Sequence, residues 1–196
     1  MENTVFVKSL TPPPINEKEV MRYAGIKTAD GAEKSLVEEC ILAAGNVFRY
    51  AVCFAEVPVK ISADEVDLGF VKTRSRDLAK NLKNCEKAVV FAATAGLEID
   101  RMIIKYSTLS PSKAVIFQAL GAERIEALCD CFNKEITEKY GKTRPRFSAG
   151  YGDLEIKIQR DIFAFLGCSQ KIGVVLNDSM LMTPSKSVTA IIGVEK

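Results

Sequence analysis

The stretch from Ser112 to Tyr140 constrains the chain most, because its apolar residues recur at helical spacing across many turns. Phe117, Gly121, Ile125, Leu128, Phe132 and Ile136 fall at steps of four and three and share one stripe. A helix this long has to bury that stripe, so the rest of the fold must be laid against it. One interruption is expected near Gly121, where glycine weakens a helix interior. A neighbouring face carries Val115, Ala119, Ala122, Glu126, Cys129 and Asn133. It sets one carboxylate among small side chains, where another segment or a ligand can come close. As an ordinary helix-surface acid, Glu126 would instead pair near Arg124 or Lys134.

The segments on either side supply strands and shorter helices. TVFVKSL reads as a first strand stopped by Pro12, Pro13 and Pro14, and Asn16 caps a short helix through Tyr23. SLVEECILAAGNV repeats apolar residues at helical spacing, and YAVCFAEVPVKIS favours extended structure with Pro58 at an edge or bulge. SRDLAKNLKNC is an amphipathic helix, and KAVVFAATAG is a continuous apolar run of the kind found in buried strands. The C-terminal part gives two strands, Gly173 to Leu176 and Val188 to Val194, with a turn at Pro184-Ser185. Its Ser185-Lys186-Ser187 run either cradles a phosphate or forms a solvated hairpin turn. Strands at both ends and in the middle, with helices grouped between them, predict an α+β domain: a mainly antiparallel sheet with helices packed on it. The 196 residues, 47% of them hydrophobic, suit one domain spanning 1–196.

Composition narrows the chemistry further. The chain has no histidine, which removes histidine acid–base catalysis, Ser-His and Cys-His nucleophiles and every His-containing metal site. The six cysteines include no C-x-x-C pair and read as small buried hydrophobes in a reducing compartment. With 27 basic against 25 acidic residues, no long-range field favours nucleic acid. No apolar run is long enough for a membrane span and no leader pattern opens the chain, so a cytoplasmic location is expected.

The segment RPRFSAGYGDLE, residues 144–155, packs two arginines, Gly150-Tyr151-Gly152 and two acids together. After it Leu154, Ile158, Ile162 and Phe165 give a helix a core face, with Asp153 as N-cap and Gly167 as its stop. The glycines would then precede a helix N-terminus, where free N–H groups favour an anion, and Arg146 could add a bidentate clamp for a carboxylate. A small-anion or zwitterion site and a bare turn between two helices both fit. A dinucleotide fold does not: the Gly-x-Gly follows no strand and lacks the third glycine.

These residues also carry a resemblance. Arg146-x-x-x-Gly150-Tyr151, followed by a helix and by IGVVLNDSMLMTPSKSVTAIIG, is similar to the activation (reactivation) domain of cobalamin-dependent methionine synthase, a family with stand-alone forms. The similarity is best over about residues 85–194, through AVVFAATAG and ALGAERIEAL, and looser in VMRYAGIK. It implies an S-adenosylmethionine site in which Arg146 holds the α-carboxylate and Glu126 lies near the amino group. The backbone around Gly150, Tyr151 and Gly152 would contact the adenosine. The chain departs from the larger family members at Ile191 and Ile192, where they place an aromatic pair, and shows no counterpart of their N-terminal aspartate.

The implied activity is that of a methyltransferase component in methionine biosynthesis, which supports the reductive remethylation (reactivation) of cob(II)alamin. No residue is assigned a catalytic or metal-binding role. Without histidine the chain lacks the imidazole that binds cobalt in this class, so the cobalamin would be carried by a partner methionine synthase core or another corrinoid methyltransferase. The electron would come from a flavodoxin- or ferredoxin-like donor. Two alternatives remain at the level of sequence: a non-enzymatic docking or capping module for a corrinoid protein, and an anion site that takes a phosphate.

Overall fold

A computed structural model describes residues 4–27 and 31–195. The chain runs through β1 (Phe6–Lys8), α1 (Glu17–Tyr23), α2 (Gly31–Ala43), β2 (Ala51–Pro58), β3 (Lys60–Ser62), β4 (Glu65–Asp67), β5 (Lys72–Arg74), α3 (Arg76–Asn81) and β6 (Cys85–Thr94). It continues with α4 (Glu98–Leu109), α5 (Pro111–Tyr140), α6 (Ile158–Leu166), α7 (Cys168–Ile172), β7 (Val175–Leu176), β8 (Met182–Thr183) and β9 (Ser187–Glu195).

The main sheet has the order β1-β2-β6-β9, and every pair in it is antiparallel. This is the α+β class with a mainly antiparallel sheet. Period-two alternation explains why β6 reads as an unbroken apolar run: it is buried on both faces. Val89, Phe91 and Ala93 point to one side, where they meet Ile125, Leu128 and Phe132 of α5. Ala88, Val90 and Ala92 point to the other, against Leu78 and Leu82 beside α3 and Ile158, Ile162 and Leu166 of α6. A third cluster joins α1, α2 and α4 to the first half of α5 through Phe117 and Leu120.

Helix α5 is the spine of this arrangement and is continuous across 30 residues. The expected interruption near Gly121 is absent. Glycine is needed there for space: a Cβ would lie 2.9 Å from the Lys186 side chain, which crosses the helix at that point. The buried Glu123–Arg124 pair explains how the triproline segment is tied down. Glu123 accepts from the Asn16 amide at 3.1 Å, and Arg124 donates to the Pro13 carbonyl at 2.8 Å. Asn16 caps α1 as its sequence position suggests, accepting from the Glu19 amide. Pro58 pairs with β6 on one side but lies beyond the reach of β1, which covers only Val52–Phe54. Its missing N–H therefore falls where β2 has an open edge. Among the described residues no helix is long and apolar enough to cross a membrane.

Phe132 touches both Phe54 and Phe91 with ring centroids 5.1 and 4.9 Å apart, and joins helix to sheet. Truncation to alanine leaves a cavity at the centre of that layer. Phe132→Ala should cost about 3–5 kcal/mol, read as a lower urea midpoint at unchanged slope.

Candidate functional site

The outer edge of β9 is covered by the segment that carries the arginines. Arg144 donates its amide to the Gly193 carbonyl at 2.8 Å, and Phe147 and Ile191 exchange both backbone hydrogen bonds at 2.9 Å. Pro145 sits between these contacts, where the ladder needs no donor from it. Gly193 makes the close approach possible, since a Cβ there would lie 2.8 Å from the Cys85 sulfur and 3.2 Å from the Arg144 side chain.

From this edge Arg146 reaches to α5. Its Nη2 donates to Glu126 at 2.6 Å and its Nη1 to Asp130 at 2.5 Å, two carboxylates one helical turn apart. Glu126 therefore pairs with Arg146 rather than with its neighbours on the helix; Arg124 is taken by the buried Glu123. Burial of the Arg146 guanidinium favours its neutral form, but hydrogen bonds to Asp130 and Glu126 hold its pKa above the ordinary arginine value. Cys129, on the core side of α5 near this cluster, is pushed up to about 12 by burial, so it is a protonated thiol and adds no charge.

The Gly-Tyr-Gly segment lies elsewhere in its local structure than the sequence suggests. Helix α6 begins at Ile158 with Lys157 at its N-cap position, so residues 150–157 form turns and Gly150-Tyr151-Gly152 does not precede a helix start. Asp153 caps a different helix. It accepts from the Ser75 hydroxyl at 2.5 Å and from the Arg76 and Asp77 amides at 2.9 and 3.2 Å, closing the first turn of α3. Asp77 returns the contact by accepting from the Asp153 amide at 3.3 Å. Gly152 is required for this reciprocal lock: its φ is +54°, and a Cβ would collide with the Asp77 carboxylate. The helix N-terminus beside Gly-Tyr-Gly is thus occupied by the protein's own acid. The Ser185-Lys186-Ser187 run is likewise used internally, with Ser185 bound through its amide and hydroxyl to Asp100, both at 2.6 Å. The Ser187 hydroxyl lies 2.8 Å from the Pro184 carbonyl and 3.0 Å from the Thr94 hydroxyl.

Between the edge segment, α3, α5 and α6 opens a cleft of about 790 Å³. Glu126, Arg146, Tyr151 and Gly152 line it together, whereas Gly150 serves the turn, with φ +88° and its amide bonded to the Leu154 carbonyl. Tyr151 is 65% exposed and meets Phe147 edge to face, so one ring face is available at the mouth. Ile191 and Ile192 do not reach the cleft, because they point into the core on opposite faces of the sheet. On β9 the wall is made instead by Ser187, Val188 and Thr189.

Asp130, beside the cleft on α5, and Asp77, Asn81 and Gln159, which line it, were not singled out from sequence. Asp130 follows Glu126 by one turn, and that spacing alone could have found it. Asp77 and Asn81 repeat the same step on α3. Gln159 is the informative one: with Ile162 and Leu166 it completes the core-facing stripe of α6, a polar residue in an apolar position, and it is 5% exposed. The Gln159 Oε1 and Asn81 Oδ1 atoms are buried and have no hydrogen-bond partner among the described residues. Two buried acceptors without donors at one cleft suit a ligand rich in N–H or O–H groups.

The fold is an α+β domain with a cleft between the edge of its main sheet and the flanking helices. No family model matches the chain, and no curated protein sequence matches it. More particularly, the fold is that of a methionine synthase reactivation domain. The crystal structure of the MetH reactivation domain bound to AdoHcy superposes with a TM-score of 0.70, covering 98% of this chain and 78% of that one at 13% sequence identity.

The Asp153 lock has a pH signature. Hydrogen bonding to Ser75, joined by the Arg76 and Asp77 amides, lowers the Asp153 pKa to about 2. The folded value lies below the unfolded one of about 4, so the stabilisation is present above pH 4 and is lost as pH falls towards 2. Asp153→Ala should lower the thermal midpoint at pH 7, and the gap from wild type should shrink between about pH 4 and pH 2. A gap that stays constant with pH would contradict this role.

Proposed function

We propose that the chain, taken as one unit over 1–196, binds S-adenosylmethionine in the β9-edge cleft and supports reductive remethylation of a cobalamin carried by a partner methionine synthase. The observation that carries this reading is the Arg146–Glu126 pair on the wall of a ligand-sized cleft, in the fold of a domain solved with AdoHcy. A zwitterionic amino-acid tail needs one cation and one anion side by side. Arg146 would bind its carboxylate and Glu126 its ammonium, each through charge-assisted bonds of about 1.5–3 kcal/mol.

The remaining features fit the nucleoside. Tyr151 offers a ring face at the mouth for the adenine, and the Gly152 backbone lines the same cleft. Gln159 Oε1 and Asn81 Oδ1 would accept from the adenine amine or the ribose hydroxyls. The chain's contribution is positional: holding both ends of the ligand fixes the direction of the methyl group, an entropic gain that requires no acid or base. The corrinoid, supplied by the partner, would accept an electron from an external donor of the flavodoxin or ferredoxin kind and then the methyl group.

Titration calorimetry tests the reading directly. Arg146→Ala should weaken S-adenosylmethionine binding by at least about 30-fold, corresponding to about 2 kcal/mol. Absence of heat with wild type, including in the presence of a corrinoid methyltransferase, would leave only a docking role. Tighter binding of sulfate or ATP than of the methyl donor would identify a phosphate site instead.

Gln159→Leu offers a second test with two opposed outcomes. Removing a buried acceptor that lacks a donor should leave the unliganded thermal midpoint unchanged or higher. Affinity for the adenosyl ligand should nevertheless fall by up to about tenfold. Loss of stability without loss of affinity would place Gln159 outside the site.

A further inference from the structure

The end-on edge of the Arg146 guanidinium is already filled, by Glu126 on one nitrogen and Asp130 on the other. A ligand carboxylate that binds this edge must displace one of them. We infer that Asp130 is the residue displaced, a built-in competitor that occupies Arg146 in the free protein and sets the affinity for carboxylate-bearing ligands. The inference rests on the S-adenosylmethionine reading of the same cleft.

Two observations separate the two acids. The Asp130 side chain is 71% exposed against 44% for Glu126, so Asp130 regains water most easily when released. Glu126 lines the ligand cleft and Asp130 does not. Both acids line a second cleft of about 800 Å³, so Asp130 borders that cleft alone while Glu126 borders both. Lys134, one turn further along α5, lines that second cleft too; its exposed ammonium, now 3.9 Å from Glu138, stands at i+4 from the freed carboxylate. With both acids bound, the cluster carries one excess negative charge, which attracts an ammonium but repels a carboxylate. Exchange of Asp130 for the ligand's carboxylate preserves the number of charge-assisted bonds on Arg146, so the ligand gains only the difference between two similar contacts. Affinity is thereby held below what the Arg146–Glu126 pair alone would give.

The test is calorimetric titration of S-adenosylhomocysteine and of 5′-methylthioadenosine, which lacks the amino-acid tail, into wild type, Asp130→Asn, Arg146→Ala and the double variant. Asp130→Asn should bind S-adenosylhomocysteine about threefold to fivefold more tightly than wild type, the scale of a lost exposed ion pair. Methylthioadenosine affinity should not change, and the gain should vanish when Arg146 is also alanine. A residue that merely holds Arg146 in place would give the opposite sign, with weaker S-adenosylhomocysteine binding in Asp130→Asn. Equal or weaker binding in that variant, with wild-type binding that depends on Arg146, would overturn the competitor role and leave the proposed function standing. No binding of either ligand to any of the proteins would overturn both.

Discussion

One guanidinium ties the sheet edge to the central helix. Arg146 projects from the segment that completes the open side of β9 and is held by two carboxylates on successive turns of α5. The contact fixes where the edge segment lies relative to the helix, and so defines one wall of the cleft. It also sets opposite charges side by side at the cleft, with Arg146 partly buried and the two carboxylates more exposed. The Glu123–Arg124 pair, which is buried, lies outside this cleft's lining and anchors the proline segment ahead of α1.

The cleft exists because of how the layers meet. Helix α5 lies on one face of the sheet and α3 with α6 on the other, so the two helical layers overhang the edge of β9. The 143–147 segment fills the edge itself with backbone hydrogen bonds, and its side chains are left to line the space between the layers. The Asp153–Ser75–Asp77 lock holds the Gly-Tyr-Gly turn to the start of α3 and closes the far wall. Each wall is therefore fixed by polar contacts, while the apolar clusters hold the layers in place.

Much of this architecture was legible in the sequence. The α5 stripe, the buried strand within 87–96, the Asn16 cap and the antiparallel α+β class all follow from periodicity and capping chemistry, which act locally. What failed was non-local. Gly121 looked like a helix interruption because its role depends on Lys186, distant in sequence. Asp153 looked like the cap of the helix that follows it, but its carboxylate closes a helix seventy-odd residues earlier, and no local signal distinguishes the two. Gln159 was overlooked because α6 was read by its apolar members, although a polar residue on a core stripe is itself a signal. The Arg146–Glu126 juxtaposition came from the family resemblance. Periodicity placed Glu126 on an approachable face but could not say what would approach it.

The chemistry proposed for the chain asks little of it beyond geometry, which agrees with the lack of histidine and with a cleft whose charged groups form a complementary pair. Its central claim is that Arg146 and Glu126 together read an amino-acid tail. The most direct measurement is a crystal structure of the protein grown with S-adenosylhomocysteine. The account requires the ligand's carboxylate on Arg146 and its ammonium on Glu126, with the adenosine between Tyr151 and Gln159. A ligand ordered in the cleft while Arg146 keeps both helix carboxylates, or one bound at another surface, would contradict it.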